Sequence, residues 1–214
     1  MSQISAFILD FEKYKAETLK NYISSKKNIN IEKLTNKQKI FSQFIRYFVF
    51  ERFYGIDNLE FEYKHGKPYL EGSKFFFNIS HTHNKAIMVV ACNEIGVDAE
   101  IVSAKRNVLL IAERYFTQQE YQSIENSEDV YSEFYELWTL KEAQVKRNAL
   151  GIARGLSDAK FTKKSTQWVS NNYPEDFFSF TYQELLISIC SQNIVNQKID
   201  LYEIQDFNFI SKNY

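Results

Sequence analysis

Three short segments of this 214-residue sequence carry side chains that could do chemistry together. The first is Gly96-Val97-Asp98-Ala99-Glu100. On a strand, residues two apart share a face, so Asp98 and Glu100 project together. Two neighbouring carboxylates repel unless a cation stands between them or one takes a proton. Ligands that offer only oxygen suit Mg²⁺; the alternative is an exposed strand face with two solvated acids. The second segment runs from Trp138 to Lys146. Four-residue spacing puts Trp138, Glu142 and Lys146 in one row along a helix, with Lys141 pointing about 100° away around it. That row offers a third carboxylate and an ammonium able to face a phosphate. The alternative is a surface Glu–Lys pair worth about 0.3–0.5 kcal/mol, with Trp138 in the core.

The third segment is Phe77-Asn78-Ile79-Ser80-His81, preceded by Gly66-Lys67-Pro68. Ser80 and His81 close a strand, where a hydroxyl and an imidazole can meet a phosphate. Zinc at His81 and His83 is disfavoured, because the chain has 3 His and neither of its 2 Cys has metal-ligand spacing. A serine hydrolase is disfavoured too. Adjacent strand residues point to opposite faces, and no nucleophile elbow is present.

The elements that must position these groups can be read from periodicity. Residues 4–9 form an opening strand, and 12–23 and 31–54 have helical spacing. Phe41, Phe44, Ile45, Phe48 and Val49 make one apolar stripe, which Gly55 ends. Strands follow at 60–63, 68–69, 75–80, 86–91 and 95–101. A short helix spans 107–115, and Thr117-Gln118-Gln119-Glu120 is a capping box that opens another. A longer helix covers 129–148 and is broken by Gly151 and Gly155. Strands return at 158–162, 177–182, 185–190 and 201–204. A helix, an aromatic strand and an aliphatic strand recur in both halves of the chain. The fold class is therefore α+β: two similar halves, 1–103 and 104–214, each a small, mostly antiparallel sheet packed by helices. No Pro/Gly/Ser-rich linker divides them, so they should share an interface.

Composition narrows the function classes. Lys plus Arg is 26 and Asp plus Glu is 27, so no global charge favours nucleic acid or an anionic membrane. An anionic ligand needs a local basic cluster instead, and 6 Gly leave little room for a Gly-rich phosphate loop. Both Cys92 and Cys190 sit in apolar runs and read as buried, reduced thiols. The longest apolar run is far too short to span a bilayer, and the N-terminus lacks a signal-peptide pattern. The expected compartment is the cytoplasm.

Taken in order, G-K-P, F-N-x-S-H, G-x-D-x-E and W-x-x-K-E-A-x-x-K resemble the 4′-phosphopantetheinyl transferases, of the larger, surfactin-synthetase-activating type. The matching motifs run from Gly66 to Lys146. The segment Ile111–Thr117 also resembles the family's helix between its two acidic motifs. The resemblance implies Mg²⁺-dependent transfer of the phosphopantetheine arm of coenzyme A to a serine of an apo acyl or peptidyl carrier protein, by a monomer. It implies that Asp98, Glu100 and Glu142 hold Mg²⁺ and that Lys146 contacts the pyrophosphate. Ser80 and His81 would meet the coenzyme A phosphates. Asn78, Lys64, Lys67 and Pro68 would line the coenzyme A site, the last two at its nucleotide end. Lys37 would take the 3′-phosphate, with Lys39 its competitor. The serine proton would pass to Glu142 or to a Mg²⁺-bound water that it orients; Ala99, between the two acids, cannot accept it. Carrier docking is expected along Gln118–Tyr135, through Tyr121, Ile124, Val130 and Tyr131. A Mg²⁺-dependent phosphohydrolase and a non-catalytic coenzyme A binding module remain the alternatives.

Overall fold

The computed structural model describes residues 3–26, 34–149 and 151–214. The chain opens with β1 (Gln3–Asp10), α1 (Ala16–Ser24) and α2 (Lys37–Arg52), followed by a hairpin of β2 (Phe61–Lys64) and β3 (Lys67–Leu70). β4 (Phe76–Thr82) and β5 (Lys85–Ala91) complete this part. The pattern then repeats. β6 (Ile95–Ile101) leads to α3 (Val108–Tyr115), α4 (Gln118–Glu125), α5 (Val130–Asn148) and α6 (Ile152–Asp158). A hairpin of β7 (Phe161–Lys164) and β8 (Gln167–Ser170) comes next, then β9 (Phe177–Tyr182) and β10 (Leu185–Ser191). β11 (Lys198–Gln205) and β12 (Asn208–Lys212) end the chain.

The two sheets have the same core order, β1-β5-β4 and β6-β10-β9, with every one of these pairs antiparallel. β11 and β12 extend the first sheet on its β1 side, β11 pairing with β1 in parallel. This is the expected α+β class. The expected boundary at 103 falls after β6, yet β6 pairs with β10 of the second sheet.

Strand alternation divides the core. On β1, Phe7 and Leu9 face α1 and α2, in a cluster with Phe41, Phe44, Ile45 and Phe48. Ile4, Ala6 and Ile8 face the other way and pack with Ile95, Val97 and Ala99 of β6 and Ile187 and Ile189 of β10. The aliphatic faces of the two sheets therefore bury each other. This leaves Gly96, Asp98 and Glu100 on the opposite face of β6, toward α5. Gly96 is required there: a Cβ would lie 2.0 Å from the Ala143 carbonyl oxygen and 2.5 Å from the Arg147 nitrogen. The bare backbone of β6 thus lets α5 settle directly onto it.

Several boundaries differ from the sequence reading. The first helical stretch splits, because the Asp10 carboxylate accepts the Glu12 N–H and closes a 3-10 turn before α1 begins. α2 starts only at Lys37, where the Asn36 side chain caps it by accepting from the Lys39 nitrogen; residues 31–33 lie outside the described set. Gly155 does not break a helix. It sits inside α6, where its missing side chain admits Val145, whose Cγ2 would be 2.6 Å from a Cβ. With α6 running to Asp158, the following strand begins at Phe161 rather than at 158. β8 and β12 were not expected at all, since their short runs lack clean alternation. Cys92 is exposed just past the end of β5, not buried; Cys190 is buried, and both are free thiols. No described helix is long and apolar enough to cross a membrane.

Candidate active site

The site forms where β4, β6 and α5 meet. β4 and β6 belong to different sheets, so no backbone ladder joins them. Side chains on one face of β4 bridge the gap instead. Asn78 Oδ1 accepts the Val97 N–H at 3.1 Å, and Ser80 Oγ accepts the Ala99 N–H at 3.3 Å. Ser80 in turn donates to Asp98 Oδ1 at 2.7 Å, and Thr82 donates to Glu100 Oε2 at 2.9 Å.

α5 brings Glu142 and Lys146 to the same place. Lys146 does not pair with Glu142 along the helix, as the spacing alone suggested. It crosses to β6 and donates to Asp98 Oδ1 at 2.6 Å and to Ser80 Oγ at 2.9 Å. Asp98 and Glu142 are nearly buried, at 5% and 6% exposure. Burial, with the Asp98 charge next, pushes the Glu142 carboxyl up to about 7, while Lys146 pulls it down and Glu100 adds to the rise. Glu100 is raised by burial and then by Asp98, against the Thr82 hydrogen bond and the charges of Arg106 and Lys146. The three acids thus act on one another electrostatically.

The same residues fit a hard divalent cation. Asp98 Oδ2 is buried and meets no hydrogen-bond donor. A bare carboxylate oxygen is costly to bury, and it becomes favourable when a cation takes it. As the side chains stand, no three His, Cys, Asp or Glu among the described residues converge as a metal-holding group. The positive charge at Asp98 in this arrangement is that of Lys146.

A cavity of about 1100 Å³ opens from this point. Glu142, Lys146, Asn78 and His81 line one part of its wall, and Lys39, Ser42, Arg46, His65, Lys67 and Pro68 line others. His81 faces away from Ser80, as adjacent strand residues must. Its Nε2 lies 2.8 Å from Ser42 Oγ, which itself donates to the Gln38 carbonyl. The hydroxyl proton is therefore committed, and the His81 Nε2–H donates to Ser42. Burial, and then the Lys146 charge, holds the imidazole down to about 4, so it is neutral at pH 7.

The other expected contacts fare unequally. Lys39 lines the cavity, whereas Lys37 is exposed at the first residue of α2 and Lys64 is exposed beside the Tyr69 ring. Lys67 reaches the wall, but its ammonium donates to Glu94, the Ile95 carbonyl and the Arg147 carbonyl at 2.7, 3.1 and 2.9 Å. It ties the hairpin to β6 and α5. Lys141 is fully buried and pairs with fully buried Glu120 at 2.9 Å. Trp138 stacks on Phe134, as the core alternative had it. Along the expected docking stretch, Ile124 is fully buried and cannot meet a partner. Tyr121 is half-buried, and Val130 and Tyr131 border a smaller groove with Lys105 and Arg106.

Sequence reading missed Ser42, Arg46 and Thr82. Arg46 is 5% exposed and lies 4.6 Å over the Phe61 ring, with its guanidinium donating to the Tyr63 hydroxyl at 2.9 Å. The i to i+4 spacing of Ser42 and Arg46 on α2 was a readable signal. So was the alternation Asn78, Ser80, Thr82 on β4.

Known proteins bear on this arrangement. A profile described as the 4′-phosphopantetheinyl transferase superfamily matches residues 94–194. A 4′-phosphopantetheinyl transferase of Bacillus subtilis is 29% identical over 150 residues, which cover 64% of this chain and 66% of that protein. The transferase psf-1 of Bacillus pumilus is 37% identical over 95 residues, covering 43% and 40%. The transferase HetI of Nostoc sp. is 33% identical over 105 residues, covering 45% and 44%. The chain thus matches from 40% to 66% of the length of these relatives. Through residues 94–194, the segment that holds β6 and α5, the chain is similar to the 4′-phosphopantetheinyl transferase superfamily.

Proposed function

We propose that the chain transfers the 4′-phosphopantetheine arm of coenzyme A to a serine of an apo carrier protein, with Mg²⁺ as cofactor. One observation supports this most: a nucleotide-sized cavity is lined by the basic residues Lys39 and Arg46 and by Glu142 and Lys146, and Asp98 and Glu100 act electrostatically on that Glu142. Coenzyme A has matching ends, a phosphorylated nucleotide and a pyrophosphate that must meet both cation and acid. The serine Oγ attacks the β-phosphorus. The bond from that phosphorus to the bridging oxygen breaks, and adenosine 3′,5′-bisphosphate leaves with the electron pair.

Such a transfer depends on positioning and charge neutralisation more than on covalent help from the protein. Asp98, Glu100 and Glu142 would hold Mg²⁺, which when bound neutralises pyrophosphate charge. Lys146 is placed to exchange Asp98 for a phosphate oxygen. His81, neutral and fixed by Ser42, lines the same cavity as Glu142 and Lys146. The serine proton goes to Glu142, directly or through a water it orients. A carboxyl near 7 both accepts and releases a proton at neutral pH.

The test is an incubation with coenzyme A, Mg²⁺ and an apo carrier protein, followed by the carrier's mass. A gain of one phosphopantetheine is expected. Phosphate release without a mass gain would replace transfer by hydrolysis. Binding without turnover would leave a coenzyme A binding module.

A further inference from the structure

β4 faces β6 with alternate residues, and the acids of β6 have the same two-residue spacing. Ser80 meets Asp98 and Thr82 meets Glu100 in one matched register. The Ser80 contact is shared with Lys146. Thr82 has a single role of this kind. It is 6% exposed, and its one hydroxyl proton goes to Glu100, so its oxygen is left to accept from His83 Nδ1 at 3.3 Å. Among the described residues the other group paired with the Glu100 carboxylate is Arg106, 3.6 Å from Oε1 and 54% exposed at its side chain. A solvated guanidinium at that distance restrains a carboxylate weakly. Thr82 is therefore what holds one rotamer of an otherwise flexible glutamate.

We propose that Thr82 is a positioning residue: its hydroxyl orients the Glu100 carboxylate so that Glu100 and Asp98 present oxygens to one divalent cation. This rests on the reading of these acids as metal ligands. Freezing a glutamate on metal binding costs side-chain freedom, and a hydroxyl that freezes it beforehand removes part of that cost. Partners behind metal ligands commonly matter to affinity for this reason.

The experiment measures Mn²⁺ binding to the whole chain by the loss of the free-ion paramagnetic resonance signal. Thr82→Val keeps the shape and removes the hydroxyl; Thr82→Ser restores the hydroxyl. Thr82→Val should bind Mn²⁺ about 10–100-fold more weakly than wild type, and Thr82→Ser should bind nearly as wild type does. Melting of the metal-free proteins is the control, and Thr82→Ala replaces Thr82→Val if that variant does not fold. Glu100→Gln separates the two readings. If it weakens Mn²⁺ while Thr82→Val does not, the positioning role is overturned and the metal site stands. If neither variant weakens Mn²⁺, Glu100 is not a ligand and the metal reading falls with the proposal. If Thr82→Ser is as weak as Thr82→Val, packing rather than the hydroxyl matters, and the proposal is again overturned.

Discussion

Lys141 and Glu120 offer a quantitative test of how α5, the helix that carries Glu142 and Lys146, is anchored. Both side chains are wholly buried and lie 2.9 Å apart. Lys141 also donates to the Leu156 carbonyl at 3.3 Å and to the Ala159 carbonyl. Glu120 accepts the Thr117 N–H at 2.7 Å and the Phe161 N–H at 2.8 Å. This network ties α4, α5, α6 and β7 together. Lys141→Met keeps much of the side-chain volume but strands Glu120 as a buried charge. Breaking a buried pair in this way costs about 3–5 kcal/mol. For a chain of this size each kcal/mol lowers the melting temperature by about 2–4 °C, so the loss should be about 6–20 °C. Glu120→Gln should destabilise too, because an amide can accept only one of the two backbone N–H bonds. The double variant should be less destabilised than the sum of the two, by about 0.5–3 kcal/mol. Lys141 points away from the cavity, so turnover well below the melting temperature should match wild type. Thermal melts and a carrier-loading assay on all four proteins measure both effects. If Lys141→Met melts with wild type, the pair does not anchor the helix. If it melts with wild type yet loses turnover, Lys141 works in the site and the division of roles along α5 is wrong.

Three further outcomes follow from the same geometry. Glu142 titrates at about 7 in the folded chain, above an ordinary glutamate, so its contribution to stability is full below about pH 4.5 and is lost as pH rises through about 7. Metal-free Glu142→Gln should therefore gain on wild type in urea midpoint between about pH 5 and 8; no gain would mean that Glu142 is not under repulsion. His81 has the opposite sign: its folded value of about 4 lies below the ordinary 6.5, so stability falls as pH drops through that window. His81→Gln should flatten that acid-side slope, and an unchanged slope would refute the burial of a neutral imidazole. Gly96→Ala would push a methyl into the Ala143 carbonyl and the Arg147 nitrogen, and overpacking of this kind costs about 1–3 kcal/mol or more. A Gly96→Ala protein with unchanged melting would show that α5 does not rest on β6.

Much of this site was legible because strand and helix periods are simple. Period two predicted that Asp98 and Glu100 share a face, and they do. Period 3.6 placed Glu142 and Lys146 on one side of α5, beside them. What periodicity could not give was the partner. Lys146 reaches Asp98, 48 residues away, rather than its helical neighbour Glu142. Lys141 looked like an ordinary helix lysine, and nothing local marks the glutamate 21 positions earlier as its buried mate. Cys92 closes an apolar run, but β5 ends one residue before it and the thiol is exposed. Gly155 was read as a breaker from its residue type alone, whereas its value is the space it leaves for Val145. At Lys146, Lys141 and Gly155 local preference was overridden by a tertiary contact.

The pairing of β1 with β11 has a consequence for how the protein is made. Gln3 is registered against Lys198 and Leu9 against Ile204, so β1 lies beside a strand synthesised long after it. On the ribosome, β1, β5 and β4 can find one another early, but one edge of β1 stays bare until β11 emerges. That edge belongs to a strand with Ile4, Ala6, Phe7, Ile8 and Leu9, all buried in the finished fold. An unpaired apolar strand edge is a template for other chains, and long-range pairing is slow to form. Nascent chains halted before residue 198 should therefore be captured by holdase chaperones more readily than chains that include β11.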